Sequence, residues 1–230
     1  MVRIILTVLG LTALTAGAAQ ALTIDTFNTD QVIYDSLGGG PTSSTVSDAA
    51  NILGTDRTIS LEQLGPGATP SSISANVGTP GLLTLGNTDA FSVSNITYNG
   101  IGGAGLGGVD VTEGGTLNAF GLRVASGDFP TNMILTVSDG TNTSSLLIPS
   151  PALAFNVPVL FSYGAFIGGP VDFTAIDYIN LQLVTTNPQA DLRLAFIDFI
   201  GTTEVPEPAV LAVLGFGLIG LGLARRRPAA

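Results

Sequence analysis

The chain of 230 residues contains no cysteine, histidine, tryptophan or lysine. Without cysteine it can form neither disulfides nor zinc–thiolate sites, and it has no thiol nucleophile. Without histidine it lacks the most common general base and the most common ligand of transition metals. The absence of tryptophan, with only four tyrosines, argues against an aromatic platform that stacks sugar rings. Catalysis, if present, would have to use carboxylates.

Basic residues are scarce between the two ends of the chain. Residues 22–204 contain three basic and sixteen acidic residues, a net charge of −13. Such a polyanion cannot hold phosphate backbones, so nucleic acid is excluded as a partner. The length of this region predicts one sizeable domain over residues 22–204.

Apolar runs occur at both ends. Arg3 precedes an apolar stretch, and Ala19-Gln20-Ala21 matches the A-x-A pattern, so residues 1–21 are predicted to be a secretory signal peptide cleaved after Ala21. Residues 209–224 are all apolar. They predict a single transmembrane helix of roughly 24 Å, slightly short for a bilayer core of about 30 Å. The arginines that follow predict a cytoplasmic C-terminus.

Short motifs flank the second apolar run. Val205-Pro206-Glu207-Pro208 precedes it, and Arg225-Arg226-Arg227 follows it. This order and spacing resembles the sorting signal of the PEP-CTERM family of exported bacterial proteins, with the signal at residues 205–227. The resemblance implies that an exosortase-type membrane protease recognises Pro206, Glu207 and Pro208, that the arginines retain the precursor, and that the protein reaches the cell surface or the polysaccharide matrix. Residues 52–57 also resemble ectodomains seen with this tail.

Between these signals, apolar residues recur at every second position in short segments, which is typical of β-strands. The segments are residues 71–77, 91–98, 117–125, 133–137, 145–148, 179–183 and 192–196. We predict a bulge within 91–98, a tight hairpin at Asp139-Gly140, and an inward-facing or rim position for Asp198. Together these patterns predict an all-β fold, an antiparallel β-sandwich of jelly-roll type.

The glycine-rich segment 99–115 matches G-x-G-x-x-G at Gly103, Gly105 and Gly108. A dinucleotide site needs this motif between a strand and a helix. No helical pattern follows here, so a mobile surface loop is the expectation.

The carboxylates suit calcium better than catalysis. Candidate catalytic pairs are Asp110 with Glu113, Asp172 with Asp177, and Asp191 with Asp198, although the last pair is expected on opposite faces of its strand. Calcium prefers carboxylate, amide and carbonyl oxygens on flexible loops. Its candidate ligands are Asp110, Glu113, Asp139, Asn142 and the loop 187–191.

The sequence favours an exported, non-enzymatic surface or matrix protein. It would be held in the inner membrane as a precursor, processed at its C-terminal motif, and linked to exopolysaccharide or biofilm. Two alternatives remain open: a calcium-assisted, lectin-like carbohydrate-binding module, and an enzyme that acts on polysaccharide.

Overall fold

Fourteen strands make up the part of the chain that the computed structural model describes, which is residues 21–65, 67–148 and 158–201. In chain order they are β1 (Ala21–Asp25), β2 (Gln31–Asp35), β3 (Thr42–Ser47), β4 (Asp56–Gln63), β5 (Ser71–Ala75), β6 (Leu83–Gly86), β7 (Ser92–Tyr98), β8 (Ala119–Gly127), β9 (Thr131–Ser138), β10 (Thr143–Ile148), β11 (Pro158–Ser162), β12 (Ile167–Gly168), β13 (Tyr178–Thr185) and β14 (Leu192–Ile200). Two short 3₁₀ turns, Ile101–Gly103 and Tyr163–Ala165, lie between strands.

The strands form two seven-stranded sheets in which every pair is antiparallel. Sheet I has the order β11-β8-β14-β6-β5-β2, with β1 also paired to β14. Sheet II has the order β12-β10-β9-β13-β7-β4-β3. One apolar core joins both sheets: Ile73, Leu122 and Phe199 come from sheet I, and Ile96 and Leu181 from sheet II. The all-β sandwich that the sequence predicts is therefore confirmed.

Period-two alternation explains most strands directly. In β9 the residues Met133, Leu135 and Val137 are buried, and in β13 the residues Leu181 and Leu183 are buried. The residues between them face outward, because successive side chains point to opposite faces of a sheet. This alternation leaves sheet II with a mostly aliphatic inner face and a largely polar outer face.

The hairpin at Asp139-Gly140 is present, but its loop is longer than a two-residue turn. Strands β9 and β10 pair from Ser138 with Thr143 onward, which leaves four residues in the loop. Gly140 has φ +81, whereas Asp139 is not among the residues with positive φ. The Asp139 carboxylate instead accepts hydrogen bonds from the backbone N–H groups of Thr141 (2.8 Å) and Asn142 (2.6 Å).

For two strands, the prediction of which residues face the core was wrong. Strand β7 has no bulge: Ser92 and Ser94 are buried with Ile96 and Tyr98, and Val93 faces outward. Strand β14 does shift register around residue 195. A bulge reverses the facing of all later residues.

The shift in β14 moves Phe196 and Asp198 away from the core. Leu192 and Leu194 are buried before it, and Ile197 and Phe199 are buried after it. Asp198 therefore lies on the outer face of sheet I, not on the inner face that the simple alternation predicts.

The glycine-rich segment joins β7 to β8 without a helix that could carry a dinucleotide site. It is tied to the rest of the sandwich by backbone hydrogen bonds, among them Leu106 N to Asp177 O (2.8 Å) and Val111 N to Phe173 O (3.0 Å). Leu106 and Val111 are buried. The segment is a connection between two strands, as expected, but it is anchored in the core; its mobility stays a prediction.

Residues 1–20 of the predicted signal peptide (residues 1–21) and the C-terminal segment from residue 202 onward lie outside the described residues. Within the ranges the structure does describe, no helix is long and apolar enough to cross a membrane. Ala21, the last residue before the predicted cleavage, begins β1 and pairs with Ile200.

Candidate functional site

An ion pair lies at the centre of the sandwich. Arg57 and Asp25 are both fully buried, and Nη1 of Arg57 lies 2.8 Å from Oδ2 of Asp25. The guanidinium also donates to the Gln31 side chain (2.8 Å) and to the Thr29 carbonyl (2.8 Å). Tyr98 donates its hydroxyl proton to the same Asp25 oxygen (2.9 Å).

This buried cluster has a structural role. Burial raises the pKa of Asp25, and the facing Arg57 guanidinium opposes that shift. Neither charged side chain is exposed to solvent, so neither can meet a ligand. Segment 52–57, which resembles ectodomains seen with this tail, contains Arg57. A turn in which Gly54 and Thr55 both have positive φ leads into this arginine.

The predicted calcium ligands serve as turn caps. Both Asp110 oxygens accept backbone N–H groups, from Thr112 (2.8 Å) and Gly114 (3.0 Å). Asp139 caps its own hairpin and also accepts the Asp172 N–H (2.8 Å). The hydrogen bond from the Thr112 hydroxyl (2.6 Å), together with these backbone bonds, lowers the pKa of Asp110. The backbone bonds to Asp139 lower its pKa to about 2.

Two further candidates, Glu113 and Asn142, are placed differently, and in the candidate loop 187–191 the Asn187 side-chain oxygen accepts the Gln189 N–H (2.9 Å). Glu113 lies at positive φ in the Asp110 loop, and the Asn142 side chain lies 3.5 Å from the Asp139 carboxylate. In the described ranges no three carboxylates come close enough together to hold a metal ion. Calcium binding stays a prediction.

The proposed catalytic carboxylates are also engaged in local structure. Asp172 accepts bonds from the N–H and hydroxyl of Thr174 (2.9 and 2.6 Å), and Asp177 accepts the N–H of Gly107 (2.9 Å). Asp191 accepts the N–H of Asn87 (3.0 Å). Asp191 precedes β14 by one residue, and Asp198 lies seven residues further along. That separation is roughly 20 Å along a strand, too far for two carboxylates to act on one bond.

Two partly buried charged side chains, Arg123 and Asp198, lie on the outer face of sheet I. The Arg123 guanidinium lies over the Phe196 ring, 5.1 Å from its centroid. Nε of Arg123 and Oδ1 of Asp198 are buried atoms that have no hydrogen-bond partner among the described residues. Partial burial raises the pKa of Asp198 to about 6, and a hydrogen bond from Thr23 opposes the rise. Within the described ranges no ion pair joins Asp198 to an arginine.

Replacing Asp198 with asparagine is expected to stabilise the protein at neutral pH. Because its carboxyl binds a proton more tightly in the folded state, folding is penalised as pH rises through about 4 to 6. For a half-exposed group we expect a gain of about 1 kcal/mol at pH 7.5, after allowing for solvent screening. The gain should vanish at pH 4. Thermal unfolding of both proteins at both pH values measures the gain, and an equal gain at the two pH values would contradict this account.

The outer face of sheet II has a different character, which we call the polar face. One row of it crosses six strands in register, one residue per strand: Thr45, Thr58, Thr97, Asn180, Thr136 and Ser145. A second row, two residues away along each strand, contains Ser43, Ser60, Asn95 and Gln182, followed by Ile134 and Leu147. The two rows contain no ionisable side chain.

Hydrogen bonds between neighbouring strands fix these side chains. Thr97 donates to the Asn180 amide oxygen (2.9 Å), and Gln182 donates to the Asn95 amide oxygen (3.1 Å). The Nδ2 of Asn95 lies 3.4 Å from the Ser60 hydroxyl. Hydroxyl pairs flank this centre, at Thr45 with Thr58 (2.8 Å) and at Thr136 with Ser145 (2.9 Å). The polar face is thus a preorganised array of hydroxyl and amide groups.

Sequence reasoning missed the polar face. Its signal is present in the strands, where Ser, Thr, Asn and Gln alternate with buried aliphatic residues. What the sequence alone does not give is the register that aligns these positions across six strands. The sorting residues Val205 to Pro208 and Arg225 to Arg227, and the cleavage residue Ala19, lie outside the described residues.

Comparison with known proteins identifies the C-terminal signal. The PEP-CTERM protein-sorting motif matches residues 204–227. The chain therefore carries the sorting signal that its sequence resembles, and it is an exported protein. No curated protein sequence matches the chain.

Similar folds occur among solved structures of carbohydrate-binding modules. The carbohydrate-binding module CtCBM11 is 13% identical, with 83% of this chain and 100% of that chain covered and a TM-score of 0.39. TmCBM61 in complex with β-1,4-galactotriose is 11% identical, with 76% and 90% covered and a TM-score of 0.35. The agarase AgWH50C is 13% identical, with 78% of this chain but 24% of that chain covered and a TM-score of 0.39. At these TM-scores the resemblance says nothing about what this chain binds.

Proposed function

We propose that the chain is a non-enzymatic protein of the cell surface or extracellular matrix, delivered there through its C-terminal signal, and that its sandwich contacts exopolysaccharide. The observation that carries the proposal is the sorting motif at residues 204–227 behind a folded acidic domain. The precursor would cross the inner membrane, remain anchored by residues 209–224, and be cut near Pro206-Glu207-Pro208 by an exosortase-type protease.

The chemistry of the tail supports this staging. Pro206 and Pro208 prevent a helix from extending through the motif, so a protease would meet extended backbone at the membrane surface. The three arginines would hold the C-terminus on the cytoplasmic side until cleavage. The apolar run is short for a permanent anchor, which favours a temporary one.

The described part of the sandwich supports a binding role over a catalytic one. The paired carboxylates that polysaccharide hydrolysis needs are separated or used as turn caps. Calcium-assisted carbohydrate binding stays as the second candidate, with Asp110, Glu113, Asp139 and Asn142 as proposed ligands. Binding to glycans with and without a chelator distinguishes it from a calcium-independent contact.

Changing Glu207 to alanine is expected to block processing of the precursor. In a host that contains an exosortase-type protease, we expect most wild-type protein outside the inner membrane and most Glu207→Ala protein inside it at precursor size. Blots of membrane, surface and medium fractions measure this distribution.

Glu62→Ala, the same substitution on an outward-facing glutamate of β4 and outside residues 204–227, is the matched control and should be processed normally. Removal of Arg225 to Arg227 should also leave uncleaved or mislocalised precursor. Normal processing of both the Glu207→Ala and the arginine-deleted chains would overturn the proposal.

A further inference from the structure

We infer that the polar face of sheet II binds a neutral, extended polysaccharide that lies across the strands. This inference rests on the proposed function, because it names the surface and the class of glycan for the exopolysaccharide contact.

The geometry is that of a long and regular site. Strands β3, β4, β7, β13, β9 and β10 pair without a register shift, whereas sheet I shifts register at β14. With neighbouring strands about 4.8 Å apart, the row from Thr45 to Ser145 is roughly 24 Å long. One strand step is close to the length of one hexose in an extended, equatorially linked chain. A chain that lies along the row would therefore meet a new hydroxyl or amide at almost every sugar.

The absence of ionisable groups from the two rows selects among glycans. Hydroxyl and amide groups exchange hydrogen bonds with sugar hydroxyls without the desolvation cost of a charge. A uronate or sulfated polymer would find no cation there. The chain's net charge of −10 would also repel such a polymer. The face therefore suits uncharged glycans and disfavours acidic ones.

Apolar and aromatic side chains border the polar rows. Leu147 is 61% exposed and Ile167 is 82% exposed, at the end of the face formed by β10 and β12. Tyr178 precedes Asn180 by two residues in β13 and shares its outward face. The C–H faces of sugar rings can pack on such side chains while their hydroxyls bond to the rows.

Preorganisation lowers the loss of side-chain conformational entropy on binding. Because the side chains of Asn95, Asn180 and Gln182 are already bonded to one another, they lose little further conformational freedom when a ligand arrives. Glu62 of β4 lies on the same face, in the row next to Ser60, and its carboxylate adds to the repulsion of acidic polymers.

Affinity electrophoresis of the full chain tests the inference. The protein, in a detergent without a sugar headgroup, is run in native gels that contain soluble β-glucan, β-mannan, β-galactan or polygalacturonate. We expect at least one neutral polymer to retard the protein, and polygalacturonate to leave its mobility unchanged. Ser60→Glu, which places a carboxylate in the second row, should weaken retardation at least tenfold.

Ser74→Glu is the matched control. Ser74 is a half-buried, outward-facing serine of β5 in sheet I, so it receives the same substitution on the opposite surface. Its variant should bind as the wild type does. Loss of binding in both variants, unchanged binding in Ser60→Glu, or retardation by polygalacturonate alone would overturn the inference. A changed sedimentation coefficient of Ser60→Glu without a glycan effect would assign the face to self-association, which also overturns it.

The experiments distinguish failure of the glycan-binding inference from failure of the proposed function. If no polymer retards the protein while the wild-type chain is still processed and found at the surface, the glycan site is wrong and the sorting account stands. If the Glu207→Ala chain is processed normally while a neutral polymer still binds, the reverse holds.

Discussion

Replacing Asp25 with alanine is expected to lower the free energy of unfolding by about 3–5 kcal/mol, because it leaves a buried guanidinium without its counter-ion. Arg57 has no exposure to solvent, so water cannot take the place of the lost carboxylate. The substitution also removes the acceptor of the Tyr98 hydroxyl and of the Phe27 N–H. Urea unfolding followed by tyrosine fluorescence measures the loss, since the chain has no tryptophan to mask that signal.

An exposed aspartate is the control for this substitution. Asp30 lies near the surface and bonds only to the Asn76 amide among the described residues, so Asp30→Ala should change stability by no more than about 0.5 kcal/mol. The double variant Asp25→Leu with Arg57→Met removes both charges and should recover much of the loss. A stability of Asp25→Ala within 1 kcal/mol of Asp30→Ala would contradict the structural role of the ion pair, on the scale of about 3–5 kcal/mol for a broken buried pair.

Gly100→Ala is expected to cost about 3 kcal/mol, for two reasons that add. Gly100 has φ 73 and ψ 177, a combination that is essentially restricted to glycine. In addition, a Cβ at this position would overlap the carbonyl oxygen of Gly105, which is backbone and cannot rotate away. The glycine-rich segment would have to move. This movement would displace the Gly102 N–H, which donates a hydrogen bond to Asp56, the residue before the buried Arg57.

Gly107→Ala separates the cost of backbone strain from the cost of steric overlap. Gly107 also has positive φ, +77, but a Cβ there would meet no atom within 4 Å. We expect a cost of about 1 kcal/mol from backbone strain alone. Urea unfolding of both variants gives the comparison. Equal costs at the two positions would show that the close approach of Gly100 to Gly105 does not matter.

The sequence predicted the sheets well where alternation runs unbroken. Strands β9 and β13 show a strict period of two with aliphatic residues on one face, and both were placed correctly. Strand β7 was misjudged because its core positions include Ser92 and Ser94, which no hydrophobic pattern would place inside. Strand β14 was misjudged beyond residue 195, since a bulge inverts the facing of every later residue without changing composition.

The candidate sites show a similar division. The C-terminal signal could be found from sequence because all of its elements are contiguous. The buried pair of Asp25 and Arg57 joins residues 32 positions apart, and no local pattern links them. The polar face needs the register of six strands before its rows exist at all. Sequence spacing suggested calcium at Asp110 and Asp139, but it could not show that these carboxylates already accept backbone N–H groups.

The most direct measurement of the central claim is the intact mass of the protein recovered from outside the cell. The account predicts a chain that begins at Leu22 and ends near residues 204–208, so that the apolar run 209–224 and the arginines are missing. The sandwich would lose only Ala21, the first residue of β1, because its last strand ends at Ile200. An extracellular or surface protein whose mass includes residues 209–230 would contradict the account.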